Sequence, residues 1–149
     1  MIEHNEARKM VIDHIGIVVR SLEDGIREWQ ELFGYRKSSN AVVNTRQKVK
    51  VVFLSKDNSL TVKLIEPTEP GSPVFALARK GGGLHHLCFR CASMKSQIPK
   101  LEQKGARCLV SPEPGEAFKN NNIAFFLTMN NLNVELIDTE EKQGWQDEQ

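Results

Sequence analysis

The chain has 149 residues, 40% hydrophobic and 26% charged, the size and profile of one globular domain. Its 20 Lys and Arg against 19 Asp and Glu leave a net charge of +1, without the electrostatic footprint of a nucleic-acid or anionic-membrane binder. No apolar run approaches the ~20 residues of a bilayer span, the opening MIEHNEARKM holds no signal-like stretch, and three cysteines give no disulfide framework, so a cytoplasmic single domain is expected.

After a ten-residue head, Val11–Arg20 is apolar and β-branched and is predicted as a buried strand. Ser21 can cap a helix whose stripe is Leu22, Ile26, Trp29 and Phe33 and whose stop is Gly34. Tyr35–Val43, Val49–Ser55 and Leu60–Glu66 read as strands, with polar turns at Asn44–Gln47 and Lys56–Ser59. A joint follows, with a short helix at Pro73–Lys80. Then come strand Leu84–Cys91, helix Ser93–Lys104 with Gly105 as stop, and strands Arg107–Val110, Asn122–Thr128 and Leu132–Asp138. Pro99 removes a helix hydrogen bond, so that helix is expected to start late or kink. Ser111–Gly115 reads as a rigid turn. The tail Thr139–Gln149, polar and acidic apart from Trp145, is expected to be disordered or to lie against a partner subunit.

An offset of 72 residues lays these halves on each other. It carries His14-Ile15-Gly16-Ile17 onto His86-Leu87-Cys88-Phe89, and Leu60–Glu66 onto Leu132–Asp138. The order is β-α-β-β-β twice, an α+β domain made of module 11–66, joint 67–82, module 83–138 and tail 139–149. Two copies of one unit pack about a pseudo-twofold axis, so equivalent positions converge. The pairs that matter are His14 with His86, and Lys63 with Glu135. Imidazoles and a carboxylate on rigid strands suit a divalent metal; the plainer alternative is that both histidines simply begin strands near the surface.

Other signals are set aside. Cys88-Phe89-Arg90-Cys91 matches a metal or redox spacing, but residues three apart on a strand face opposite ways. Cys108 reads as a small core residue. Gly81-Gly82-Gly83 precedes a strand rather than a helix, so it reads as a flexible joint and not a phosphate cradle.

The duplication, with DHIGIVV, GGGLHHLCF and NVELID, resembles the vicinal-oxygen-chelate superfamily, and within it most nearly the methylmalonyl-CoA epimerases. IDHIGIVV, SLEDGIREWQELFGY and VKLIEP followed by SPVFALARKGGGLHHLCF carry that likeness over most of residues 11–138. It implies a curved, partly open mixed sheet around a cleft, a homodimer, and metal ligands at His14, Lys63, His86 and Glu135. A divalent ion (Zn, Co, Ni, Mn or Fe) would serve a small substrate, anionic or an acyl-thioester. It also places the loop after residue 111 at the pocket border, with Glu113 or Glu116 in reach of substrate.

Three departures change the chemistry. Lys63 stands where the superfamily has Gln or Glu, and a protonated lysine offers no lone pair. Arg46 aligns with a glutamate that moves a proton in the epimerases, and arginine is no general base near neutral pH, so it becomes a substrate-binding candidate. Thr128-Met129-Asn130 replaces a His-Pro-Lys type segment. Three readings follow. The first is an isomerase or lyase working through a metal-stabilised enolate on His14, His86 and Glu135, with Glu135 as proton-transfer base and Lys63 as base or fourth ligand. The second is a metal-free binding or sequestering protein with a Lys63–Glu135 pair in the metal's place. The third is an Fe(II) extradiol-type dioxygenase, disfavoured because His4 lies in the head and His85 is expected on the sheet face opposite His86.

Overall fold

Alternating burial writes the sheet. Along Val49–Ser55, Val52 and Leu54 pack toward a helix while Val49, Val51 and Phe53 join the core on the other face. In the computed structural model, which describes residues 9–146, this strand is one of nine. The head through residue 8, including His4, and residues 147–149 lie outside the described residues.

The first copy runs β1 (Val11–Val18), α1 (Leu22–Phe33), β2 (Arg36–Lys37), β3 (Val42–Asn44), β4 (Val49–Ser55) and β5 (Thr61–Pro67). The joint holds α2 (Phe75–Arg79). The second copy runs β6 (Gly83–Arg90), α3 (Met94–Gln103), β7 (Arg107–Gly115), a 3-10 turn (Glu116–Phe118), β8 (Asn121–Leu127) and β9 (Asn133–Ile137). The strand order is β2-β4-β5-β1-β6-β9-β8-β7, with β3 on β4, an open mixed sheet as expected. At its centre β1 pairs antiparallel with β6, and each pairs parallel with the last strand of its own copy, β5 or β9. Helix α1 packs on Val52, Leu54, Val62 and Leu64, and α3 on Ala124, Phe126 and Leu136. The opposite face, built from both copies, surrounds the cleft.

Several expectations are corrected. The single strand over 35–43 is two short pieces, β2 and β3. Helix α3 starts on time, with the Ser93 hydroxyl accepting from the Ser96 N–H, and carries Pro99 without a break. Buried Met94 and Gln97, with Ile98 and Leu101, fasten it to the sheet, and that packing outweighs one lost bond. Ser111–Gly115 is no turn: β7 runs through it, and as an edge strand it tolerates prolines that cannot donate. Cys108 is exposed, not core, whereas Cys88 and Cys91 are buried in separate clusters, so they do not face a common ligand. Within the Gly81–Gly83 joint only Gly82 is closely packed, since a Cβ there would lie 2.2 Å from the Val18 carbonyl oxygen, while Gly81 and Gly83 face open space.

The tail packs on its own chain. Trp145 bridges Ser39, the Gly144 carbonyl accepts from Asn40 N–H (3.0 Å), and Gln143 N–H donates to the Ala117 carbonyl (2.8 Å). Among the described residues no helix is long and apolar enough to cross a membrane.

Candidate functional site

Two bulges in the central β1–β6 pair build the site. Ile12 pairs with Phe89 and His14 with Cys88, leaving Asp13 as an extra residue on β1. Gly16 pairs with His86 and Ile17 with Leu84, leaving His85 extra on β6. Asp13 and His85 are equivalent under the 72-residue offset. Each bulge breaks strict alternation, so consecutive side chains sit together. This overturns the expectation that His85 faces away from His86: their Nδ1 atoms are 2.8 Å apart and both rings line one cleft. Gly16 makes room for the His86 ring, since a Cβ there would fall 2.2 Å from His86 Cε1.

The repeat-matched residues converge on one carboxylate oxygen. Glu135 Oε1 lies 3.0 Å from His14 Nε2, 3.1 Å from His86 Nε2 and 3.1 Å from Lys63 Nζ, which is also 3.4 Å from Oε2. The centre is deeply buried, with His14 0%, Glu135 1%, His86 2% and Lys63 5% exposed. Both histidines are therefore interior residues, not surface strand starts. Of the four, Lys63 and His86 line the cleft while His14 and Glu135 lie beneath.

The electrostatics follow from burial and pairing. Burial works to raise the Glu135 carboxyl, but the Lys63 ammonium and the two imidazoles hold it well below the usual range, so it is ionised. Burial pushes the His86 imidazole down to about 3, against the pull of Glu135, and it is neutral. Burial and the Lys63 charge likewise lower His85. Behind His14, Asp13 Oδ2 accepts from Nδ1 at 2.7 Å, and Asp13 Oδ1 takes Arg90 at 2.8 Å and Lys142 at 3.0 Å. Burial opposes ionisation of Asp13, yet the His14 hydrogen bond and the Lys142 charge bring it to about 2.

These residues fit a divalent metal in part. The donor atoms of His14, His86 and Glu135 lie within 4.8 Å of one another. Two imidazole nitrogens and one carboxylate oxygen are donors that a divalent ion takes. Asp13 and His85 steady the far nitrogens of the two imidazoles, as partners behind metal ligands do. The misfit is Lys63, whose ammonium lies 3.1 Å from the same carboxylate oxygen and has no lone pair to give a metal.

The cleft above has a volume of about 340 Å³. Val49, Val51, Ile65, Val74, Val110 and Phe125 make much of its wall, and Asn44, Gln47, His85 and Asn133 add polar groups. Gln47 and Asn133 went unnoticed in the sequence; their only signal was position, Gln47 closing a strand-strand turn and Asn133 standing two residues before Glu135. Arg46 does not line this cleft: it borders a separate groove with Thr45 and Glu116. Glu116 is there too, accepting from Thr45 N–H (2.7 Å) and Thr45 Oγ1 (2.5 Å), and Glu113 is likewise absent from the cleft wall.

Comparison with known proteins places this geometry. The uncharacterized protein YqjC of Bacillus subtilis (strain 168) is 34% identical over 115 residues, covering 76% of this chain and 80% of its own. An ethylmalonyl-CoA/methylmalonyl-CoA epimerase of Cereibacter sphaeroides is 30% identical over 110 residues, covering 69% of this chain and 77% of its own. A Streptomyces coelicolor methylmalonyl-CoA epimerase, solved in complex with 2-nitronate-propionyl-CoA, superposes with a TM-score of 0.75 at 27% identity, covering 87% of this chain and 96% of that one. The family model for the Glyoxalase/Bleomycin resistance protein/Dioxygenase superfamily matches residues 13–126, from the first bulge into β8, and the chain belongs to that superfamily.

Proposed function

We propose that the chain is an isomerase or lyase that moves a proton next to the carbonyl of an acyl-thioester or related small substrate through an enolate, using a divalent metal on His14, His86 and Glu135. The observation that carries this reading is the convergence of two imidazoles and one carboxylate, drawn from both copies, under a cleft of about 340 Å³. The metal, when bound, polarises the carbonyl and offsets negative charge developing on its oxygen. Glu135, ionised, is the proton-transfer base, and Lys63 at the cleft wall presents N–H donors to a substrate oxygen. Apolar walls keep water out, which strengthens each of these charges. The acyl-CoA compounds named for the Cereibacter and Streptomyces relatives support an acyl-thioester. A homodimer in the cytoplasm goes with this reading, and sedimentation of the purified protein checks the assembly.

Elemental analysis of protein purified without chelator should find stoichiometric Zn, Co, Ni, Mn or Fe. Deuterium exchange at C2 of methylmalonyl-CoA by the metal-loaded protein tests epimerase chemistry, and no exchange removes it. A second reading rests on the 3.1 Å contact between Lys63 Nζ and Glu135 Oε1. With that pair in the metal's place the protein binds or sequesters a ligand without turning it over, and failure to take up metal on add-back supports it. The dioxygenase reading regains an imidazole in the cleft with His85; oxygen uptake with catechols under iron reconstitution tests it.

A further inference from the structure

Gln47 Nε2 and Asn133 Oδ1 are buried polar atoms without a hydrogen-bond partner, one a donor and the other an acceptor, and both residues line the cleft. Leaving such groups unpaired is costly, and a bound ligand is a ready means of satisfying them. Asn133 is oriented by its own contacts, since its Nδ2 donates to the His85 carbonyl at 3.3 Å, which leaves Oδ1 to accept. The charge pattern points the same way. Among the described residues Lys63 is the only Lys or Arg lining the cleft, and both oxygens of Glu135 already match it. Arg46 belongs to the outer groove beside Glu116. The rest of the wall is amide or hydrocarbon.

We infer that the cleft selects an uncharged ligand, a carbonyl compound whose hydroxyl or amide group accepts from Gln47 and donates to Asn133 while its hydrocarbon part lies on Val49, Val51, Ile65 and Phe125. A free carboxylate away from the centre meets no cation there and loses its hydration. This deepens the proposed function and rests on it only in taking the cleft as the substrate site. It departs from the anionic substrate expected when Arg46 is placed at the pocket.

Calorimetric titration with a matched pair tests it: 2-methylmalonamide, uncharged with donors and acceptors, against 2-methylmalonate on the same skeleton. The diamide should bind at least about tenfold more tightly. Gln47→Leu and Asn133→Leu should each weaken the diamide by about tenfold and leave the dicarboxylate unchanged. Unchanged thermal melting of both variants separates recognition from misfolding, and Gln47→Glu, which keeps the shape but adds charge, should also weaken the diamide. Tighter binding of the dicarboxylate, no binding of the diamide, or folded leucine variants that bind it as the parent does would each overturn the inference. Absent metal or absent deuterium exchange strikes the proposed reaction and leaves this ligand preference standing, so the two fail separately.

Discussion

Lys63 and Glu135 face each other across the pseudo-axis with almost no water around them. Removing one member of such a pair strands the other. Lys63→Met should destabilise the metal-free protein by about 3 kcal/mol in chemical denaturation. Because a dication could neutralise the stranded carboxylate, added Zn or Co should restore most of that loss; no recovery would count against a metal at this centre. A second expectation concerns thiols. Burial pushes Cys91 up to about 11 and Cys88 well above its ordinary value, so both stay protonated at pH 8, whereas Cys108 is exposed. Alkylation of the native protein followed by mass spectrometry should give one adduct, on Cys108. At the level of single residues the repeat was enough to find His14, Lys63, His86 and Glu135. It could not find the neighbour of each histidine, because Asp13 and His85 owe their direction to bulges, and a bulge exists only once two strands have chosen their register.

The C-terminal segment, as an element, reaches into the site from behind. Lys142 lies 3.0 Å from Asp13, Trp145 packs 6.2 Å from Phe53, and backbone bonds tie Gln143 and Gly144 to Ala117 and Asn40. Asp13 in turn fixes the ring of His14. The sign of its titration is clear. A carboxyl held near 2 when folded, against 3.8 otherwise, contributes about 2 kcal/mol that is fully present above pH 4 and is lost as pH falls through 2. Lys142→Met should move that acid loss to higher pH and lower Co affinity about tenfold, with Lys142→Arg recovering both; an acid-unfolding series and competition with a chelator measure them. Nothing in the tail's composition announced this. A polar segment rich in Glu and Gln reads as solvated until the fold places an acceptor for its lysine. The edge strand β7 misled in the same way, since its prolines forbid only a central position, and strand order is a property of the whole sheet.

Across the whole molecule, β-α-β-β-β was legible twice because strand and helix periodicities are local, and the 72-residue offset made their pairing legible as well. The cleft wall was not, because Gln47, Ile65, Val110 and Asn133 come from four separate stretches that only the closed fold assembles. Each copy owns half of the centre: His14 and Lys63 stand before the Gly81–Gly83 joint, His86 and Glu135 after it. The halves meet where β1 pairs with β6. Expressed as two separate polypeptides divided at the joint, they should therefore behave like the arms of a complementation assay. Neither fragment alone should hold metal, and mixing them should recover it only when the β1–β6 seam re-forms, an event that a proline at Ile15 would abolish, because β1 is a central strand paired on both sides and a proline there cannot donate to a ladder.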